Sequence, residues 1–246
     1  MPSPASCPAR ALVRVWHAHV DVLARDAARR DRAVRWLDER GRARYARYRH
    51  DEDREMFLLG RVMARALVGR TMDRPPDAWR WREGPRGRPE VAEPNATVRF
   101  NLAHSAGLVA CVLADGRDVG VDLEDRARRP LDPQIVRRYC APAEVADIDA
   151  QGAGGWHDRF LTYWTLKEAY LKARGLGIAV PLAEIALSLG GPSPSIGFLD
   201  SLAGADARWA FHVSAPTARH LLAAAAHTGP GPVAFDVRPL PDDWLP

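Results

Sequence analysis

Two acids one residue apart, Asp122 and Glu124 in Gly120-Val121-Asp122-Leu123-Glu124-Asp125, are where this chain could act on a charged substrate. If the segment is a strand, alternate side chains share a face, so Val121 and Leu123 enter a core while Asp122 and Glu124 turn together into solvent or a cleft. Like charges so close repel. With Cα atoms about 6 to 7 Å apart, their unequal side chains can still bring oxygens to one hard cation such as Mg²⁺, which takes oxygen ligands and keeps several waters. A third acid would complete such a site. The plainer reading is a half-exposed strand with a polar face.

The choice of base is a second signal. Of 35 basic residues only Lys167 and Lys172 are lysines, leaving 35 − 2 = 33 arginines, and both lysines fall in one segment, WTLKEAYLK. A compact ammonium is a different tool from a planar guanidinium. On a helix over Trp156–Arg174, Trp164, Glu168 and Lys172 share one face, while Tyr163, Leu166, Tyr170 and Ala173 lie on another. Taken alone, Glu168 and Lys172 form an i,i+4 surface pair worth about 0.3 kcal/mol. His104, at the end of VRFNLAHS, is either a hydrogen-bonded structural residue or a catalytic one.

The elements that must position these residues follow from periodicity. Residues 11–20 read as a strand. Arg29–Arg54 carries ten arginines interleaved with Trp36, Tyr45 and Tyr48 at helical spacing, with Gly41 marking a break. This stretch is a solvated helix face or a surface for phosphates or an acidic partner. Asp51–Met72 opens with acids and continues with an apolar stripe, the pattern of an amphipathic helix. The Pro- and Gly-rich stretch Arg74–Pro94 reads as loop or short hairpin. VRFNLAHS and LVACVLA read as two strands around Ala106-Gly107, and the two-acid strand follows a turn at Asp115–Asp118. A short helix is expected around Ile135–Tyr139 and another from Ala141-Pro142-Ala143-Glu144, where Pro suits the first turn and Glu the helix dipole. Gly152–Gly155 should break the chain before the Trp156–Arg174 helix, which Gly175-Leu176-Gly177 ends. After Pro181, five short strands separated by Gly/Pro turns suggest an antiparallel second half.

Composition narrows the classes. The 246 residues, 47% hydrophobic and 27% charged, fit an ordinary globular protein of one large domain or two smaller ones. No apolar run approaches the roughly 20 residues of a membrane span, and the opening residues lack the basic-then-apolar order of a signal peptide, so a cytoplasmic protein is expected. Cys7, Cys111 and Cys140 suggest neither a disulfide framework nor a zinc site. A net charge of +4 favours anionic partners such as nucleotides, phosphates or acidic proteins.

FNLAHS, GVDLE and WTLKEAYLK, in that order, resemble the signature of the 4′-phosphopantetheinyl transferases, specifically the class serving carrier proteins of secondary metabolism, including polyketide and nonribosomal peptide synthesis. Length, basic character and flanking segments extend the resemblance across most of the chain. It implies an α+β fold of two similar α/β halves related by pseudo-twofold symmetry, each a small, mainly antiparallel sheet with helices. The halves would be 1–118, with coenzyme A nucleotide and carrier contacts, and 119–246, with the metal site and the helix of Glu168 and Lys172. The implied reaction moves phosphopantetheine from coenzyme A to a serine of an apo acyl or peptidyl carrier protein, with Mg²⁺, releasing adenosine 3′,5′-bisphosphate. Carried over by motif, Asp122, Glu124 and Glu168 would be metal ligands, and Glu168 and Lys172 the catalytic pair. His104 and Lys172 would contact the coenzyme A phosphates, and Arg88, in Gly87-Arg88-Pro89, would meet the 3′-phosphate. Arg54 and Arg61 are candidates for the nucleotide, and Glu144 matches an acidic family position. Ala103 and Ala106 depart from the Ser and Gly common around the family's histidine. The resemblance also implies a monomer with neither nucleic acid nor membrane as partner. Two other classes use the same features: a non-catalytic basic protein binding nucleic acid or an acidic partner through Arg29–Arg54, and a metal-dependent phosphohydrolase.

Overall fold

The computed structural model describes residues 10–84, 89–93, 95–177 and 180–246. Strand β1 (Ala11–His19) is followed by three short helices, α1 (Asp21–Ala24), α2 (Ala27–Arg35) and α3 (Glu39–Arg47), and by the 22-residue α4 (Asp51–Met72). A small hairpin, β2 (Trp81–Glu83) with β3 (Pro89–Val91), precedes β4 (Val98–Ser105) and β5 (Leu108–Asp115). The second half repeats this plan. Strand β6 (Val119–Asp125) leads to α5 (Pro133–Tyr139), α6 (Pro142–Ala150) and the 23-residue α7 (Gly152–Arg174), then a hairpin of β7 (Ile185–Ser188) and β8 (Ser195–Phe198), then β9 (Trp209–Ser214) and β10 (His220–His227). The strand orders correspond as well: β1-β5-β4 in one sheet, β6-β10-β9 in the other, all antiparallel. The protein is thus an α+β fold of two similar halves.

The last strand, β11 (Val233–Pro239), returns to the first sheet and pairs with β1 in parallel. The other strands of the second half pair antiparallel as expected, and this one is the exception. Two corrections concern glycines. Gly41 does not break a helix but lies in the first turn of α3, its N–H bonded to the Asp38 cap at 2.7 Å, and the break falls at Trp36–Asp38. In the glycine tract only Gly152, the first residue of α7, has left-handed backbone, with φ +64°, and Gly154 and Gly155 lie within the helix.

Residue parity sets the layers. Along β6, Val119, Val121 and Leu123 point inward with Val13, Val15, Val112, Leu222 and Ala224 between the two sheets. Each such buried Val or Leu stabilises the fold by about 1.5–3 kcal/mol. On the outer faces α4 covers the first sheet and α7 the second. Gly120 lets α7 approach: a Cβ there would lie 2.1 Å from the Ala169 carbonyl oxygen and 2.5 Å from the Ala173 nitrogen. The helix therefore rests on bare backbone of β6, two residues from Asp122. Where β4 and β6 run side by side, the Val121 N–H donates to the buried Asn101 Oδ1 at 3.1 Å, joining the halves beside the two-acid strand. Among the described residues, no helix is long and apolar enough to cross a membrane.

Candidate functional site

A cleft of about 340 Å³ opens between the halves. Its walls are α4 (Met56, Phe57, Gly60, Arg61), β4 (Asn101–His104) and α7 (Glu168, Leu171, Lys172), with Arg44, Tyr48 and Pro89 at its margin. The alternation of β6 turns Asp122 toward α7, where it is 7% exposed. Lys172 Nζ donates to Asp122 Oδ1 at 2.6 Å, while Oδ2 is buried with no hydrogen-bond partner. Burial pushes this carboxyl up, Lys172 pulls it back, and Glu124 adds to the rise.

Glu168, one turn before Lys172, also carries a buried oxygen, Oε1, without a partner. Burial raises its pKa first, Asp122 and Glu124 raise it further, and Lys172 opposes them. The three acids are thus close enough to feel one another. The expected Glu168–Lys172 surface pair is not what holds Lys172, whose ammonium reaches across to β6. Glu124 is engaged separately, its Oε2 accepting from Arg128 Nη1 at 2.8 Å. Among the described residues no three acidic, histidine or cysteine side chains form a ready cage for a cation. The donor set nevertheless suits one: the buried Asp122 and the half-buried Glu168 each keep a buried oxygen without a hydrogen-bond partner, and hard cations take such oxygens.

His104 lines the cleft. Its side chain is exposed at the mouth, yet desolvation by the cleft walls, and next the charge of Lys172, lower its pKa and favour the neutral ring. Arg61 lies between the rings of Phe57 and Trp81 at 5.3 and 5.8 Å, within a stack that Arg44 and Arg65 continue. Burial and Arg44 draw its pKa down, yet a guanidinium stays charged and can still bind an anion bidentately. Arg54 stands elsewhere: it pairs with Asp51 and lines a separate depression with Arg30, Arg35 and Tyr45. Arg88 lies outside the described residues, and so does Cys7.

Lys167 and Glu144 sit in the core of the second half, 1% and 0% exposed, joined at 2.6 Å. Lys167 also donates to the carbonyls of Tyr139 and Leu182, and Glu144 accepts from the backbone N–H of Ala141 and Leu187. Burial pushes the acid up and the amine down, each partner opposing the shift. This pair fixes α7 against α5, α6 and β7 and does not reach the cleft. Sequence reasoning missed Arg44, Tyr48, Phe57 and Asn101. The available signal was Phe57, Arg61 and Arg65 at four-residue spacing on one helix.

Residues 118–225 match the 4′-phosphopantetheinyl transferase superfamily, and residues 26–115 match the N-terminal family of 4′-phosphopantetheinyl transferase. A phosphopantetheinyl transferase of Thraustochytrium sp. is 31% identical over 238 residues, covering 91% of this chain and 82% of that one. The chain belongs to the 4′-phosphopantetheinyl transferase superfamily. The superfamily's Sfp from Bacillus subtilis is 28% identical over 160 residues, 65% of this chain and 69% of Sfp. The Synechocystis protein slr0495 is 33% identical over 144 residues, and the match spans only 58% of its length. The crystal structure of Thermotoga maritima holo-[acyl-carrier-protein] synthase aligns over 44% of this chain and 61% of that one, at 18% identity and a TM-score of 0.35. In this superfamily member Glu168, Lys172, His104 and Arg61 line the cleft, and Lys172 is bonded to Asp122.

Proposed function

We propose that this protein transfers the 4′-phosphopantetheine group of coenzyme A to a serine of an apo acyl or peptidyl carrier protein, with Mg²⁺, releasing adenosine 3′,5′-bisphosphate. The observation that carries the reading is the conjunction of Glu168, Lys172, His104 and Arg61 around one cleft, with Asp122 bonded to Lys172 and a bare, buried oxygen on each of the two acids. A diphosphate repels an approaching serine oxygen, so its charge must be neutralised before bonding begins. Arg61 and Lys172 supply positive charge from opposite walls, and His104 offers a ring N–H to a phosphate oxygen. A divalent cation held by Asp122 and Glu168, with Glu124 as third ligand, would neutralise the diphosphate and stabilise the leaving phosphate. Burial raises the basicity of the Glu168 carboxylate, which suits it to take the serine proton.

In this reading residues 1–118 supply the coenzyme A nucleotide and carrier contacts, and 119–246 supply the acids and α7. Arg61 and Arg44, rather than Arg54, are the arginines of the nucleotide side, because they share the cleft with His104. The arginine-rich helices α2 and α3 would steer an acidic carrier. Incubation with coenzyme A, Mg²⁺ and an apo carrier, followed by intact-mass measurement, tests the proposal. The carrier should gain one phosphopantetheine group. A carrier of unchanged mass, with coenzyme A cleaved or untouched, would refute it.

A further inference from the structure

Glu124, like Asp122, keeps a cation of its own, here an arginine on the turn that follows β6. Arg128 Nη1 donates to Glu124 Oε2 at 2.8 Å, with the two side chains 32% and 15% exposed. The turn that carries Arg128 is pinned from several sides. The Arg128 N–H donates to the Asp125 carbonyl at 3.0 Å, the Ala127 N–H to Asp125 Oδ1 at 2.9 Å, and the Arg126 N–H to the Arg219 carbonyl at 2.8 Å. Arg219 in turn clamps the Asp125 carboxylate through Nε at 2.9 Å and Nη2 at 2.6 Å. The backbone of Arg128 is therefore fixed at the end of β6, while its long side chain has solvent beside it into which the head can swing.

Lys172 does to Asp122 what Arg128 does to Glu124. Two carboxylates and two bases are thus already paired within the site. Arg128 and Lys172 oppose entry of a lone cation, and the carboxylates oppose a lone diphosphate. When both arrive, the partners can be exchanged: the bases turn to phosphate oxygens and the carboxylates are freed. Resting on the transfer reading above, we propose that Arg128 is a positioning residue that couples divalent-cation binding to binding of the diphosphate substrate, by withholding Glu124 until the diphosphate draws its guanidinium away. Coupling of this kind is reciprocal, so each ligand strengthens the other by the same factor.

Mn²⁺ titration followed by the free-ion EPR signal, with and without coenzyme A and in the absence of any carrier, tests this directly. The full chain, Arg128→Gln and the exposed control Arg129→Gln are compared, with Mn²⁺ association to coenzyme A measured separately in buffer. Without coenzyme A, Arg128→Gln should bind Mn²⁺ about two- to fivefold more tightly than the unaltered chain, the scale of one partly exposed ion pair. The tightening that coenzyme A produces should shrink in that variant. Arg129→Gln should behave like the unaltered chain. Equal or weaker Mn²⁺ binding by Arg128→Gln, an undiminished effect of coenzyme A, or the same gain in Arg129→Gln would overturn the inference. An unaltered chain that binds no coenzyme A would remove the transfer reading itself, a distinguishable failure.

Discussion

Replacing Gly120 by alanine should damage the site more than the fold. The added methyl would lie 2.1 Å from the Ala169 oxygen and 2.5 Å from the Ala173 nitrogen, both backbone atoms of α7. Ordinary contact needs about 3.5 Å, so the helix must retreat by about 1 Å. Overpacking of this kind costs about 1–3 kcal/mol, which in a chain of this size lowers the melting temperature by about 2–12 °C. The site suffers more, because the 2.6 Å bond between Lys172 and Asp122 spans the same junction and Glu168 moves with the helix. A displacement near 1 Å reduces a positioned reaction by about 10²-fold. Calorimetry and the carrier-modification rate, measured on the same preparation, separate the two effects. A Gly120→Ala protein that melts with the wild type and modifies carrier at the same rate would refute the claim that α7 is seated on this glycine.

Glu168→Gln removes a charge that burial and Asp122 both disfavour. It should abolish transfer, by about 10²-fold or more, while the melting temperature holds or rises by up to about 4 °C; an active variant would remove Glu168 from the site. Lys167→Met leaves Glu144 uncompensated at 0% exposure and should cost about 3–5 kcal/mol in urea unfolding. Combining it with Glu144→Gln should recover much of that loss, and equal instability of single and double variants would contradict the pairing. Burial lowers the pKa of His17, aided by His220, and of His212. Because the unfolded chain takes up these protons first, their contribution is complete above the ordinary histidine value near 6.5 and is lost as pH falls through the lowered folded values. Melting temperature should therefore drop between about pH 7 and 5, and a His17→Asn, His212→Asn protein should show a flatter profile.

Much of this was legible in the sequence because it rests on short periods. Alternation along GVDLED predicted which residues of β6 would enter the core, and the 3.6 period predicted the bounds of α4. What was not legible depends on contacts between distant residues. Nothing near WTLKEAYLK announces that Lys172 would reach across to Asp122 rather than pair with Glu168, or that Lys167 would be buried against Glu144. The parallel return of β11 to β1 joins strands more than two hundred residues apart, beyond any local turn signal. Arg54 and Arg61 look alike in an arginine-rich helix. Only the packing of α4 against β4 turns Arg61 to the cleft and leaves Arg54 outside it.

In the proposed reaction one site, built from β6 and α7, moves a phosphopantetheine group rather than merely cleaving or binding its donor. The most direct measurement counts adenosine 3′,5′-bisphosphate released against carrier modified, by chromatography and mass analysis of the same reaction with Mg²⁺ present and with it chelated. The account predicts equal amounts of the two products with Mg²⁺ and neither without it. Nucleotide released in excess of modified carrier, or modification that persists after chelation, would contradict it.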